Sequence, residues 1–286
     1  MRWGFKLFAL SCSKNGYLYD FIVYTGRHND AAPEHGFAHD VVVQPCQPFL
    51  NQGYQTFFDR FYTSPGLGQT LLDNGIQSVG SCQTNRKGFP KELKDIQEWD
   101  KKSNRGDIRW VRDRAPLFMQ WKDKRSVSPL SSEHGANDHT IVQRHTKQNG
   151  QHIILDIQQP VAIADYNLYM GGVDVLDQMV AAYRALRKTR KWWKTSSFDF
   201  VDLVVVNSYL LFREHASATG AEKIPTHLDF REDLVRELAH IQKDEDVPLP
   251  PVGRLKRCRS EVEFEDPHPP RVAPSTNRRN CVVCYR

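Results

Sequence analysis

The chain has 286 residues and a mass of 33.1 kDa, which suits one large domain or two ordinary ones. Hydrophobic residues make up 40% of it, enough for a buried core, and the mean hydropathy of −0.58 indicates sizeable exposed segments. The net charge of +5 permits a polyanionic partner without requiring one. The opening residues predict no secretory signal peptide, because their apolar stretch is short and charged and polar residues follow at once.

Two further features exclude a membrane partner and a disulfide framework. The most apolar run, Phe200 to Phe212, is shorter than the about 20 residues that cross a bilayer, and it contains Asp202, so it predicts a buried helix. Four of the six cysteines are scattered singly, which favours reduced thiols in a cytosolic or nuclear protein. Only Cys281 and Cys284 have the spacing of metal ligands.

The first predicted element is a β-hairpin. Two runs rich in aromatic and β-branched residues flank Asn15-Gly16, and this pair supplies the positive φ of a tight turn. A helical pattern follows at His39 to Gly53. Pro45 and Pro48 interrupt it, so we expect this helix to be short or kinked.

Next along the chain is a short aromatic strand, Tyr54 to Asp59, that ends on an acid. A helix follows, with Ser64 as its N-cap, Pro65 at its first position and Gly75 at its C-terminal end. Residues 76–82 predict another strand. Together with the hairpin, these elements form the first part of an α/β core, residues 1–83.

Beyond this core the composition changes. Residues 84–159 are highly charged with short β-like pieces, and they predict a β-rich insertion. A core helix that carries two acids is predicted at 160–184, and a further helical region at 185–244, in which apolar residues recur every three to four positions at Phe230, Leu234, Leu238 and Ile241. Prolines and charges fill much of 245–286, which predicts a disordered linker.

The motif Gly171-Gly172-Val-Asp174-Val-Leu-Asp177 contains two candidate metal-binding carboxylates. Its two carboxylates are three residues apart and lie on the same face of a helix. Hard carboxylate oxygens suit Mg²⁺, and metal-bound carboxylates support phosphodiester cleavage. The spacing alone also allows an interpretation without metal binding, in which Asp59 forms a turn or caps a helix and Asp177 is a solvated surface acid.

Several motifs resemble the piggyBac family of DDE transposases and its domesticated derivatives. They are GFKLFALS, GYLYDFIVYTG, GYQTFFDRFYTSPGLGQTLLDNGI, TNRKGFP, YNLYMGGVDVLDQM and RKTRKWW, in this order from about residue 3 to about residue 240. The resemblance implies an α/β fold with an RNase H-like catalytic core, here incomplete at its N-terminus, a β-rich insertion and a following helical region.

By this resemblance, Asp59 matches the second catalytic aspartate and Asp174 the third, while Asp177 matches a further functional acid. Trp192 matches a tryptophan close to the transposon DNA. The resemblance further implies Mg²⁺ as the cofactor, held by Asp59 and Asp174, double-stranded DNA with a TTAA target as the partner, and the nucleus as the location. It is also compatible with a homodimer. It implies that the helical region at 185–244 serves dimerisation and DNA binding, and that the linker in 245–286 leads into the start of a cysteine-rich segment.

A basic segment follows the acids. Lysines and arginines neutralise DNA phosphates, and tryptophan rings can stack on unpaired bases. The alternative is a solvated helix end, and Trp193 is equally compatible with the core. The predicted DNA contacts are Trp192, Arg187, Lys188, Arg190 and Lys191. Arginines of the insertion give a weaker signal, because acids are interspersed among them.

Departures from the family lead us to expect an inactive chain. The family's first catalytic aspartate lies upstream of the hairpin that begins here at Arg2. The position after Asp59 is Arg60, where the family usually has asparagine. Cys281 and Cys284 supply only two of the four ligands that a structural Zn²⁺ site needs. Crowded carboxylates without their metal also repel one another. Three hypotheses therefore compete: a transposase, a catalytically silent DNA-binding relative, and a decayed reading frame.

Overall fold

The computed structural model describes residues 6–26, 35–148, 151–185, 189, 191–241 and 283–284. Within these ranges the strands are β1 (Lys6–Ser11), β2 (Leu18–Tyr24), β3 (Gln55–Phe58), β4 (Gln77–Ser81), β5 (Ile108–Arg112), β6 (Leu117–Lys122), β7 (Ser126–Val127), β8 (Pro129–Ser131), β9 (His139–Gln148), β10 (Gln151–Pro160) and β11 (Val283–Cys284). The helices are α1 (Phe37–Cys46), α2 (Pro65–Asp73), α3 (Ile96–Lys102), α4 (Val161–Tyr169), α5 (Gly172–Ala182), α6 (Trp192–Ala218) and α7 (His227–Leu238).

The predicted first hairpin is confirmed. Strands β1 and β2 pair antiparallel, and Gly16 in their turn has a φ of +79°. The side chain of Asn15 accepts a hydrogen bond of 3.0 Å from the backbone N–H of Tyr17, which holds the turn closed. Five of the six residues of β1 are buried, and Phe8 is completely so.

The next two elements also form for the predicted local reasons. Helix α1 ends at Cys46, directly after Pro45, and is therefore short. Helix α2 begins with Pro65 after the N-cap Ser64, whose Oγ accepts a hydrogen bond of 3.2 Å from the N–H of Leu67. Gly75 follows the helix with a φ of +70°.

The strands of the predicted insertion extend the core sheet. Strands β3 and β4 are parallel, β8 pairs antiparallel with β4, and β6 and β5 continue the sheet beyond β8. Strands β9 and β10 form a separate long hairpin. A third sheet has three strands, in which β1 lies between β2 and β11.

The single helix predicted at 160–184 is two helices. The structure ends α4 at Tyr169 and starts α5 at Gly172. Two consecutive glycines explain the break, since glycine costs about 1 kcal/mol relative to alanine inside a helix. The second helix therefore has its own N-terminus, and Asp174 lies in its first turn.

One large hydrophobic core joins β1, β3, α2, α5 and α6. Its fully buried side chains include Phe8, Phe58, Leu67, Leu176 and Leu210. Each such side chain contributes about 1.5–3 kcal/mol relative to an exposed one. The strand that leads into Asp59 and the helix that carries Asp174 thus share the same core.

Helix α6 is longer and more exposed than the sequence predicts. Within the described residues it is the one helix whose length and composition alone would allow it to cross a membrane. Its inward face packs in the core through Leu203, Val206 and Leu210, while Val204 is 65% exposed. In α7, Leu238 is 74% exposed, so the predicted stripe of that helix is only partly covered.

Candidate functional site

Asp59 lies directly after β3, in a turn that it organises. Its carbonyl oxygen accepts hydrogen bonds from the backbone N–H of Tyr62 at 3.0 Å and of Thr63 at 3.1 Å, and from Thr63 Oγ1 at 3.0 Å. Its carboxylate accepts the N–H of Arg60, whose side chain is exposed. The turn-forming role that the sequence left open is therefore real, and the half-buried carboxylate sits at the end of a core strand.

Asp174 and Asp177 lie on α5, whose apolar face is buried through Val173, Leu176 and Val180. Both acids are half-buried. The first turn of a helix favours a negative charge, because the unpaired N–H groups there carry a partial positive charge. Asp174 thus lies at the positively polarised end of α5.

One glycine of the motif lets α5 approach β1 closely. A Cβ on Gly172 would lie 2.7 Å from the carbonyl oxygen of Cys12 and 2.9 Å from Ser11 Oγ, whereas a Cβ on Gly171 would meet nothing within 4 Å. The β1–β2 turn adds a second close contact, since a Cβ on Gly16 would lie 2.9 Å from the backbone nitrogen of Leu176. The close approach of α5 to the hairpin therefore requires glycine, which has no Cβ, at positions 16 and 172.

Replacing Gly172 with alanine is expected to push α5 away from β1. Overpacking of this kind costs about 1–3 kcal/mol. Gly171→Ala is the matched control and should change the free energy of unfolding by less than about 0.5 kcal/mol. Urea unfolding of the three proteins measures this difference. Equal effects of the two substitutions would show that the close contact at Cys12 does not limit the packing.

The described residues do not assemble a complete metal site. In this part of the chain, no three or more histidines, cysteines, aspartates or glutamates come together in a group that could hold a metal ion. Cys281 lies outside the described residues, and Cys284 belongs to β11. The assignments of Asp59, Asp174 and Asp177 as catalytic or metal-binding residues, and of the two cysteines as part of a zinc site, therefore stay predictions.

The buried cysteines of the core are poor metal ligands. Burial raises the pKa of the Cys46 thiol to about 12. It also raises that of the Cys82 thiol to about 12, although the charges of Arg86 and Arg60 oppose this shift. A cysteine binds metal as the thiolate, so these two remain protonated structural thiols. Both are free of disulfides, as the sequence predicts.

The structure describes part of the basic segment. Arg187, Lys188 and Arg190 lie outside the described residues, and Trp192 begins α6. Trp193 is 49% exposed, which excludes it from the core. The ammonium groups of Lys191 and Lys194 lie 5.9 and 5.5 Å from the centre of its ring.

Three arginines of the insertion are bound within the protein. Arg105 forms an ion pair of 2.5 Å with Asp123, and Arg109 one of 2.6 Å with Asp95. Arg112 donates hydrogen bonds of 3.0 Å to the carbonyl oxygens of residues 115 and 134. These internal bonds favour a structural role for these arginines over DNA contact.

Asp202 is an anchor that the sequence interpretation missed. Its completely buried carboxylate accepts the N–H of Ala185 at 3.1 and 3.0 Å and pairs with Arg231 at 2.9 Å. One turn earlier, Asp199 pairs with Arg184 at 2.6 Å. These bonds fix the point where the basic segment leaves α5. The position of Asp202 inside an apolar helical run could have predicted this ion pair, because a buried charge requires a partner.

The imidazole of His227 belongs to the same cluster and makes stability depend on pH. Its pKa is lowered from 6.5 to about 4, chiefly by burial and then by the charge of Arg231, while the charge of Asp202 opposes both effects. Unfolding therefore takes up a proton between these values. We expect the free energy of unfolding to fall as the pH drops from 6.5 towards 4, and this contribution to be complete above 6.5.

His227→Phe tests this expectation, because phenylalanine keeps an aromatic ring beside Tyr209, whose ring centre lies 4.9 Å away. Urea unfolding at about pH 7 and about pH 5 should show a smaller loss of stability in the variant than in the wild type. An equal loss in both proteins would assign the acid sensitivity to other groups.

Comparisons with known proteins agree with this architecture. The family model described as Transposase IS4 (DDE_Tnp_1_7) matches residues 1–209. Human piggyBac transposable element-derived protein 3 is 28% identical over 240 residues, which are 82% of this chain and 39% of that protein. The human chimeric ERCC6-PGBD3 protein is also 28% identical over 240 residues, 22% of its length. Human piggyBac transposable element-derived protein 2 is 27% identical over 163 residues, 56% of this chain and 27% of that protein.

A solved structure shows the same fold. A piggyBac transposase synaptic complex with hairpin DNA superimposes with a TM-score of 0.68 at 22% identity, and the match covers 87% of this chain and 49% of the transposase chain. This chain thus spans less than half the length of the relatives it matches. DDE transposases generally use divalent metal ions. The α/β fold with an RNase H-like core is confirmed, and the chain belongs to the piggyBac-type DDE transposase family.

Proposed function

We propose that this chain supplies the DNA-binding and metal-holding part of a piggyBac-type transposase. The observation that carries the proposal is the family match over residues 1–209, within which Asp59 follows a core strand and Asp174 opens a helix of the same core. The partner we propose is double-stranded DNA, in the form of transposon ends with a TTAA target. We further propose that it acts in the nucleus, as a homodimer.

The donor set fits a hard divalent cation. Asp59 and Asp174 are half-buried carboxylates that would hold Mg²⁺ through oxygen atoms, and Mg²⁺ binds proteins through one or two carboxylates while keeping several waters. When bound, the ion supplies Lewis-acid activation of a phosphodiester. Asp59 is held by its turn and Asp174 by the close contact of Gly172, so the protein contributes fixed positions for both ligands.

A second candidate function is a catalytically silent DNA-binding protein. The description of the human relatives as transposable element-derived proteins favours it. The inactivity expected from the sequence belongs to this candidate and stays a prediction.

Binding and nicking of a supercoiled plasmid test both candidates. In Mg²⁺, we expect the chain to shift the plasmid in a gel at low salt. Nicking that disappears in Asp174→Asn, and persists in a matched change of the exposed Asp156 on β10, would support cleavage by this chain. Binding without nicking would support the silent DNA-binding protein. The absence of binding at low salt would contradict both candidates.

A further inference from the structure

Three polar side chains form a continuous chain of hydrogen bonds outside the candidate metal site. Ser131 Oγ, at the end of β8, lies 2.7 Å from His134 Nδ1, and His134 Nε2 lies 2.9 Å from Asp165 Oδ2 on α4. Ser131 and His134 are buried, whereas the side chain of Asp165 is 33% exposed. We call these three residues the histidine bridge. It links the end of a strand of the core sheet to α4.

The hydrogen bonds around Ser131 assign the direction of the histidine bridge. Ser131 Oγ accepts the backbone N–H groups of Glu133 and His134, both at 3.2 Å. Since a hydroxyl oxygen has two acceptor positions and one hydrogen, its O–H donates to His134 Nδ1. The ring proton therefore lies on Nε2 and is donated to the carboxylate of Asp165. Hydrogen bonds to an ionised acceptor are stronger than those between neutral groups.

The same three residue types form the catalytic triad of serine hydrolases, but the geometry here differs. In that triad the serine contacts Nε2 of the histidine, whereas Ser131 contacts Nδ1. Ser131 is also completely buried, and both acceptor positions of its hydroxyl are used by backbone N–H groups. A nucleophilic serine has to reach a substrate. The histidine bridge therefore suits a positioning role and not a nucleophilic one.

The strand end of the histidine bridge is anchored in the core sheet. Ser132 donates its backbone N–H to the carbonyl oxygen of Ser78 on β4 at 3.0 Å, and its Oγ accepts the N–H of Ser78 at 2.8 Å. From β5, Arg112 donates a hydrogen bond of 3.0 Å to the carbonyl oxygen of His134. The backbone that carries the imidazole is thus bonded to two strands, and its Nε2 presents a fixed donor to α4.

Helix α4 connects the elements that carry the two candidate metal ligands. Near its C-terminal end, the ring of Tyr169 packs against that of Phe57, two residues before Asp59, with ring centres 5.3 Å apart. The helix then ends at the glycine pair, beyond which Asp174 lies in the first turn of α5. A displacement of α4 would therefore change the surroundings of both acids.

The histidine bridge holds α4 at its middle. The buried residues of this helix, Ala162 and Ile163, lie near its start. Asp165 lies between them and the C-terminal end, where the glycine pair interrupts the helical backbone. We propose that His134 is a positioning residue, which through Asp165 fixes α4 and thereby the arrangement of the two candidate ligands. The inference rests on the proposed function, because it takes Asp59 and Asp174 as the metal ligands.

Mn²⁺ binding, followed by electron paramagnetic resonance, tests this role with a matched pair of variants. Asp165→Leu has a side chain of similar shape but no acceptor for His134 Nε2, whereas Asp165→Asn keeps an acceptor oxygen and loses the charge. We expect Asp165→Leu to bind Mn²⁺ about tenfold more weakly than the wild type, since outer groups that orient metal ligands affect affinity by about 10–100-fold. Asp165→Asn should bind it nearly as the wild type does.

Hydrogen exchange supplies a readout that needs no metal. The backbone N–H groups of Met170 and Val175 donate helical hydrogen bonds of 3.0 Å on either side of the helix break. In Asp165→Leu, both should exchange about tenfold faster, because a hydrogen bond to a charged group no longer holds α4. The higher helix propensity of leucine acts in the opposite direction. The N–H of Gly68 in α2 should exchange as in the wild type, which shows that the change is local.

The outcomes separate the inference from the proposed function. Weaker Mn²⁺ binding in Asp165→Leu, together with near wild-type binding in Asp165→Asn, supports the inference. Unchanged binding in Asp165→Leu would leave the histidine bridge a structural role alone, and an equal loss in both variants would assign the effect to the charge of Asp165. Either result overturns the inference.

A wild type that binds no Mn²⁺ would contradict the proposed function instead. The exchange of the Val175 amide then decides whether the histidine bridge holds α5 in place, and unchanged exchange in Asp165→Leu overturns the inference. Asp165→Ala repeats both measurements with a smaller side chain, so that misfolding of the leucine variant does not decide the result.

Discussion

Replacing Asp202 with alanine is expected to lower the free energy of unfolding by about 3–5 kcal/mol. The carboxylate is completely buried, and its removal leaves the guanidinium of Arg231, 16% exposed, without its ion pair. The N–H of Ala185 loses both of its acceptors as well. Breaking one side of a buried pair costs more than the pair contributes, because the remaining charge stays desolvated.

Asp199→Ala is the matched control on the same helix. Its ion pair with Arg184 has similar length, 2.6 Å, but the two side chains are 25% and 40% exposed. Pairs of this kind contribute about 0–1 kcal/mol. Urea unfolding of the two variants should therefore differ by at least about 2 kcal/mol. Similar losses in the two variants would show that the carboxylate of Asp202 contributes no more to the free energy of unfolding than that of a partly exposed acid.

Neutralising the basic segment is expected to weaken DNA binding by roughly 10²–10³-fold at about 100 mM salt. Each phosphate contact contributes about 0.9 to the slope of log K against log salt, so four lost contacts should flatten the slope by about 3–4. Fluorescence anisotropy with a duplex oligonucleotide over a salt series measures both quantities. The variant carries alanine at four positions, Arg187, Lys188, Arg190 and Lys191.

The control for this variant neutralises four exposed lysines of the insertion and the loop after β6. Removing the same number of charges there should leave the salt slope unchanged if those residues make no phosphate contacts. A flattened slope in both variants would indicate binding through overall charge instead of through the segment beside α5. The control positions are Lys91, Lys94, Lys101 and Lys124.

The parts of the fold that the sequence predicts well are those with local causes. The hairpin follows from Asn15-Gly16, and α2 follows from its cap at Ser64 and from Gly75. The motifs around Asp59 and Asp174 identified the family, and the match over residues 1–209 confirms it. Each of these signals lies within a few neighbouring residues or within a motif, so no long-range contact had to be known.

The parts that the sequence did not predict depend on contacts between distant residues. Only the structure shows that Gly172 lets α5 approach the carbonyl oxygen of Cys12 and that one helix ends and another begins at the glycine pair. The pairing of β8 with β4 and the ion pair of Asp202 with Arg231 likewise join segments far apart in the chain. Hydrophobic periodicity also does not predict whether an apolar helix face is buried by the rest of the protein, as the exposed Leu238 of α7 shows.

Binding of Mn²⁺, as a spectroscopic substitute for Mg²⁺, tests the central claim most directly. Electron paramagnetic resonance detects the free ion, so titration of the chain gives the number of sites and their affinity. The account predicts one saturable site that is lost in Asp59→Asn and in Asp174→Asn and kept in Asp156→Asn. Binding that is the same in all four proteins would contradict the claim that Asp59 and Asp174 hold the metal together.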